Sequence, residues 1–129
     1  MTESASRRLR RGDRLRERRD FLRVSRDGVR TNSPSFVLLA APRRNADQSQ
    51  CPRLGITASR RVGPAVVRSL VKRRIREWFR HHREDLPVSR DIVVIARSSA
   101  ATAPWAQLEA ELRESAAKLC AALARSPHR

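Results

Sequence analysis

RLGITASRRVGPAVVRSLVKRRIREWFRHH, residues 53 to 82, decides how this chain folds. Its opening residues alternate, with Leu54, Ile56 and Ala58 on one side and Gly55, Thr57 and Ser59 on the other. A period of two buries one face of a strand and leaves the other, here lined by small polar groups, open to a ligand. Gly63-Pro64 then ends that pattern and starts a helix, since the N–H that proline lacks would have no partner in a first turn. The helix runs to about His82. At 100° per residue, Val67, Val71, Ile75 and Trp78 fall in one stripe, while Arg68, Lys72, Arg73, Arg76 and Arg80 fill the arc largely facing away. One face packs and the other is a cationic ridge.

Upstream, Asp20 is placed to cap a short helix carrying Phe21, Leu22, Val24 and Ser25, with Gly28 suited to a left-handed stop. Ser35 to Ala41 (SFVLLAA) is an apolar run bounded by Ser33-Pro34 and Pro42, which reads as a strand, and the polar residues 43 to 52 read as an exposed loop. Val29 to Asn32 leaves room for one further short strand. Downstream, Asp91 to Arg97 (DIVVIAR) has the continuous apolar centre of a buried inner strand. Ala103 to Ala124 closes the chain as an amphipathic helix through Trp105, Leu108, Leu112, Leu119 and Leu123. The order α-β-β-(β)-α-β-α defines an α/β fold of the two-layer α+β kind, a small sheet with helices. At 129 residues there is one domain, expected over 13–125, between a basic arm at 1–12 and a short tail at 126–129.

Twenty-nine Lys and Arg against thirteen Asp and Glu leave a net charge of +16, a field that calls for a polyanionic partner, with nucleic acid first. The charge is uneven. Residues 7 to 30 hold eleven Arg against four acids, and residues 53 to 83 hold ten Lys or Arg against Glu77 alone, whose charge a neighbouring Arg is expected to balance. Beyond Pro104, Arg113, Lys118 and Arg125 meet Glu109, Glu111 and Glu114, so the closing helix reads as scaffold. No apolar run reaches the roughly 18 residues of a membrane span, and the Arg-rich start is not followed by the apolar stretch of a signal peptide. A cytoplasmic protein with no membrane partner is expected.

Catalytic chemistry borne by the polypeptide is not indicated. Cys51 and Cys120 stand in no CxxC or Cys/His spacing, and His81, His82 and His128 lack the i, i+4 spacing that puts two ligands on one helix face. The acids are scattered, and GxxxxGK[ST], GxSxG and HExxH are absent. Phe21 and Phe36 stand at apolar positions that can serve the core or stack on bases, and Thr57 and Ser59 can form a plain sheet face or contact phosphate.

The run Arg60 to Glu77 (RRVGPAVVRSLVKRRIRE) closely resembles the signature of the bacterial ribonuclease P protein components. Arg19-Asp20-Phe21, the strand opening Arg53-Leu54-Gly55-Ile56 and the Asp91 to Arg97 strand fall in that family's order and approximate spacing. The resemblance implies a ribosomal-protein-like fold whose parallel strand–helix–strand crossover is left-handed, against the right-handed rule followed in about 98% of cases. It also implies an RNA-bound function: assisting a catalytic RNA that removes the 5′ leader of precursor tRNA, with Mg2+ in the RNA active site and no cofactor bound by the protein alone. Arg68, Lys72, Arg73, Arg76 and Arg80 would then contact the catalytic RNA. Phe21, Phe36, Thr57, Ser59, Arg60 and Arg61 would lie in or beside a cleft for the single-stranded leader. No catalytic or metal-binding residue is implied, and no DNA partner. Ser69 and Leu70 stand where the family commonly has Asn and Arg, and Ser25 and Leu39 where aromatics are common, which shifts leader binding toward arginine. The alternative is a basic ribosomal or RNA-structural protein with no part in tRNA maturation.

Overall fold

The computed structural model describes residues 14–43, 52–86 and 90–125. The arm at 1–12, the tail at 126–129 and nearly all of the loop at 43–52 lie outside the described residues. The elements are α1 (Arg18–Asp27), β1 (Val29–Asn32), β2 (Phe36–Pro42), β3 (Arg53–Ala58), α2 (Ala65–His82), β4 (Arg90–Ala96) and α3 (Trp105–Arg125). Short 3-10 turns at Arg83–Asp85 and Ser98–Ala101 flank β4. The further short strand is therefore present, as β1.

Four strands make one mixed sheet in the order β1-β2-β4-β3. β1 pairs with β2 and β2 with β4 antiparallel, whereas β3 and β4 run parallel with Leu54 opposite Ile92 and Thr57 opposite Ile95. The two central strands are those with continuous apolar runs, because both of their faces are covered. On one face Phe36, Leu38, Ala40, Leu54, Ile92 and Val94 pack against Val71, Ile75, Trp78 and Phe79 of α2 and Leu108, Leu112 and Leu119 of α3. Sheet and helix pair form the two main layers. On the other face, among the described residues, Val24 of α1 and Leu15 of the segment before it pack against Val37, Leu39 and Val93, with Phe21 and Ile95 at the margin.

The hand of the β3–α2–β4 crossover follows from one carbonyl. Leu54 turns its side chain into the α2 layer, and its carbonyl, facing away from β4, accepts from the Leu15 N–H at 2.8 Å. For an L-residue on a strand running upward with its side chain toward the viewer, its own N–H and C=O point right. Leu15 is thus on the right of β3 and β4 on its left when α2 lies in front. The connection moves leftward, so the crossover is left-handed, the uncommon hand.

Two local expectations at α1 are corrected. The N-cap is Glu17, not Asp20; Asp20 lies in the first turn and is buried among arginines. Gly28 is not left-handed but extended, with φ −82° and ψ 156°. Its size matters for a different reason, since a Cβ there would lie 2.4 Å from the Val24 carbonyl oxygen and 3.0 Å from that of Ala40. The chain passes directly from helix to strand through a gap only glycine fits.

α3 is pinned to the β1–β2 hairpin by Glu111, whose carboxylate accepts from Ser33 Oγ at 2.9 Å and the Ser35 N–H at 2.8 Å. Burial alone would raise its pKa, but the bonds from the Ser35 backbone, Gln107, Ser33 and the Ser35 hydroxyl together hold it below the ordinary value. A folded-state pKa below the unfolded one, about 4.3 for Glu, adds stability that is fully present above that value and is lost as pH falls through the folded pKa. Glu111→Gln should therefore be less stable than the parent at pH 6, with the gap closing below about pH 4. Urea denaturation across that range measures it; a gap that widens on acidification contradicts the assignment.

Candidate nucleic-acid interface

The cationic flank of α2 is built by phase. Arg68 and Lys72, expected on the arc facing away from the apolar stripe, are set by helix phase at its edge, and with Arg76 they are half-buried there, while Arg73 is exposed next to them. Arg68 braces the start of its own helix, its Nε donating to the Gly63 carbonyl at 3.1 Å, which leaves its terminal nitrogens for a ligand. The Arg76 guanidinium is held below its ordinary pKa by burial first, then by the like charges of Arg14 and Arg73. Three cations therefore crowd one spot, a positive field that a phosphate would relieve. Lys72, Arg73 and Arg76 have no ion-pair partner among the described residues. Sequence reasoning did not find Arg14, which arrives here because its segment lies along the free edge of β3, bridged to Leu54.

Arg80 differs from the other four. Its Nη2 donates to the Glu77 carboxylate, which His81 Nε2 also approaches at 3.4 Å. The bond from Arg80 is the leading cause that holds the Glu77 carboxyl below its usual range. The expected balance of Glu77 by a neighbouring arginine is present, and it removes Arg80 from the unneutralised ridge. On the opposite flank, Arg74 turns away and sits 6.0 Å over the Trp105 ring of α3.

The second surface lies on the α1 side of the sheet. Phe21 is half-buried with its ring pressed over Gly55, so close that a Cβ on Gly55 would meet two ring carbons at 2.7 Å. Beyond it the face opens: Thr57 is exposed, Ile95 across the register is half-exposed, and Ser59, Arg60 and Arg61 stand exposed in the turn leading to α2. A shallow pocket of about 360 Å³ follows, lined by Ser59, Arg61, Ala96, Arg97 and Ser98. Arg97 Nη2 donates to Asn32 Oδ1 at 3.2 Å, which joins the far end of this face to β1.

Phe36 does not belong to this surface. It is 1% exposed and faces the α2–α3 core, because strand parity puts Val37, Leu39 and Ala41 on the α1 side and Phe36, Leu38 and Ala40 on the other. Arg97, Arg30 and Asn32 are the residues that sequence reasoning missed here. Their signal was the same parity: Arg30 pairs with Leu39 and Asn32 with Val37, both on the α1 side.

Two acid-poor cationic surfaces, one on a helix flank and one on an open sheet face, define the class as a basic α+β nucleic-acid-binding protein. Comparison with known proteins makes this specific. The family model for ribonuclease P matches residues 9–120. The ribonuclease P protein component of Desulfovibrio desulfuricans is 41% identical over 105 residues, covering 77% of this chain and 76% of that one, and that of Syntrophus aciditrophicus is 33% identical over 104 residues, covering 81% and 84%. Among solved structures, the RNase P protein of Staphylococcus aureus superposes with a TM-score of 0.71 at 32% identity, covering 80% of this chain and 91% of that one. The Thermotoga maritima RNase P protein gives 0.69 at 32% identity, covering 80% and 94%. This chain belongs to the bacterial ribonuclease P protein component family. As such it is a subunit of a ribonucleoprotein endoribonuclease of tRNA processing.

Proposed function

We propose a division of labour between the two surfaces. The α2 flank, through Arg68, Lys72, Arg73 and Arg76, holds phosphates of the catalytic RNA, with Arg80 at its weakened end. The sheet face from Phe21 through Thr57, Ser59, Arg60 and Arg61 to Arg97 takes the single-stranded 5′ leader of precursor tRNA. Mg2+ ions held by the RNA supply the hydrolysis. The polypeptide is a poor host for them: its two buried carboxylates among the described residues, Asp20 and Asp91, are each engaged by arginine. The protein works in the cytoplasm, where precursor tRNA is made.

The observation that carries this reading is the half-buried aromatic beside an open strip of hydroxyls and arginines. Single strands are held by such a combination, a ring for a base and cations for the backbone. With one aromatic at hand, leader affinity rests on a single stack and several arginines. Phe21→Ala should weaken precursor tRNA binding to the holoenzyme by about 1 to 3 kcal/mol, the worth of one base stack, and leave mature tRNA unaffected. Filter binding with both RNAs tests it, and equal losses for the two would overturn the leader assignment.

A further inference from the structure

Phe21 sits at the start of a helix held on the sheet by little apolar surface, essentially Val24 and the Phe21 ring itself. Beside it lies a compact ionic cluster that the RNA surfaces do not use. Asp91, at 0% exposure near the start of β4, receives both prongs of Arg53: Nε on Oδ1 at 2.7 Å and Nη2 on Oδ2 at 2.8 Å. Arg23 of α1 donates to the same Asp91 carboxylate through Nη2, and through Nη1 to the Pro42 carbonyl at the end of β2. Asp20 of α1, 2% exposed, accepts from Arg23 Nη2 at 3.2 Å and lies 3.7 Å from Arg53 Nη2. These acids and arginines tie α1 to β2, β3 and β4 at once.

Two buried carboxylates held by two partly exposed arginines add little to stability, because desolvation offsets most of the attraction. Directional, bidentate bonds do fix position. Here the position fixed is that of the leader cleft. Asp20 directly precedes Phe21, and Arg53 precedes Gly55 by two residues on the same face of β3, so the cluster and the Phe21–Gly55 seat are successive contacts of one helix with one strand. Thr57 is the next residue on that face.

Resting on the leader reading above, we propose that Asp91 is a positioning residue: acting through Arg23 and Arg53, it sets the placement of Phe21 over β3, and so the discrimination of precursor from mature tRNA. It touches neither RNA. Its effect is a change in cleft width.

The test uses holoenzyme assembled with the catalytic RNA and compares affinities for a precursor tRNA and its mature form, alongside thermal melts of each protein. Asp91→Asn should weaken precursor binding by about tenfold, near the low end for one lost stack, with mature tRNA changed by less than about twofold. Asp91→Glu, which keeps the charge, should recover part of the loss. Gly55→Ala leaves the ionic cluster intact but pushes the Phe21 ring off its seat, and should reproduce the same split. If Asp91→Asn does not fold, Asp91→Glu decides the matter, since its longer side chain moves the carboxylate against both arginines and should leave a smaller loss with the same split. Equal losses for both RNAs, or an unchanged precursor affinity in folded Asp91→Asn protein, would overturn the proposal whatever Gly55→Ala does. If Phe21→Ala and Gly55→Ala show a precursor-specific loss and the Asp91 variants do not, only the positioning role falls; if Phe21→Ala shows none, both readings fall.

Discussion

Neutralising the α2 flank with Lys72→Gln, Arg73→Gln and Arg76→Gln together should cut the slope of log affinity for the catalytic RNA against log salt by about 2 to 3, since each phosphate contact contributes about 0.7 to 0.9. At about 0.1 M salt that exponent corresponds to a loss of about two to three orders of magnitude in affinity. The effect belongs to these three because none has an acidic partner among the described residues, and Arg76 already carries the strain of Arg14 and Arg73 nearby. Two controls share the helix. Arg80→Gln should change the slope less, because Glu77 already offsets that charge, and Arg74→Gln should leave it unchanged, because that guanidinium lies over Trp105 on the other flank. A slope that follows the number of arginines removed, regardless of flank, would mean a diffuse field and no ridge.

Phe79→Ala should destabilise the fold by about 3 to 5 kcal/mol, the range for emptying a large aromatic site in a close-packed core. Phe79 is 1% exposed among Ile75, Trp78 and the sheet residues beneath α2. Against a total stability of about 5 to 15 kcal/mol, this is the difference between a folded and a partly unfolded subunit. Leu70→Ala, on the same helix but 39% exposed, should stay within about 0.5 kcal/mol of the parent. Urea midpoints of the two variants measure the contrast. A loss below about 1 kcal/mol for Phe79→Ala would show that α2 is held by its charges and not by its buried face.

Phe79 also shows where reading the sequence stops. The stripe through Val67, Val71, Ile75 and Trp78 was legible because a period of 3.6 repeats along it, and the core has Val71, Ile75 and Trp78 buried. Phe79 lies at the edge of that stripe beside Arg68 and Lys72, where angle alone does not separate core from ridge. The strands were legible by alternation and by apolar runs, yet Phe36 was assigned to the wrong surface because a buried strand has apolar residues on both faces. Only its pairing, with Phe36 opposite Ala96, fixes the parity. Arg14 reaches Arg76, and Asp91 reaches Arg53 and Arg23, across gaps in sequence that no local pattern encodes. The left-handed crossover was implied only by resemblance, and its physical statement is the direction of the Leu54 carbonyl. Ser69 and Leu70 are both exposed on α2, so neither departure changes how the helix packs.

Both surfaces rest on the claim that this chain assists a catalytic RNA and performs no hydrolysis itself. The direct measurement is cleavage of a 5′-extended precursor tRNA at low Mg2+ by the cognate catalytic RNA, with and without the protein, beside the protein alone. Stimulation that requires the RNA is the predicted result. Cleavage by the protein alone, or no stimulation of the RNA, would contradict it, the second leaving a basic RNA-structural protein on the same fold.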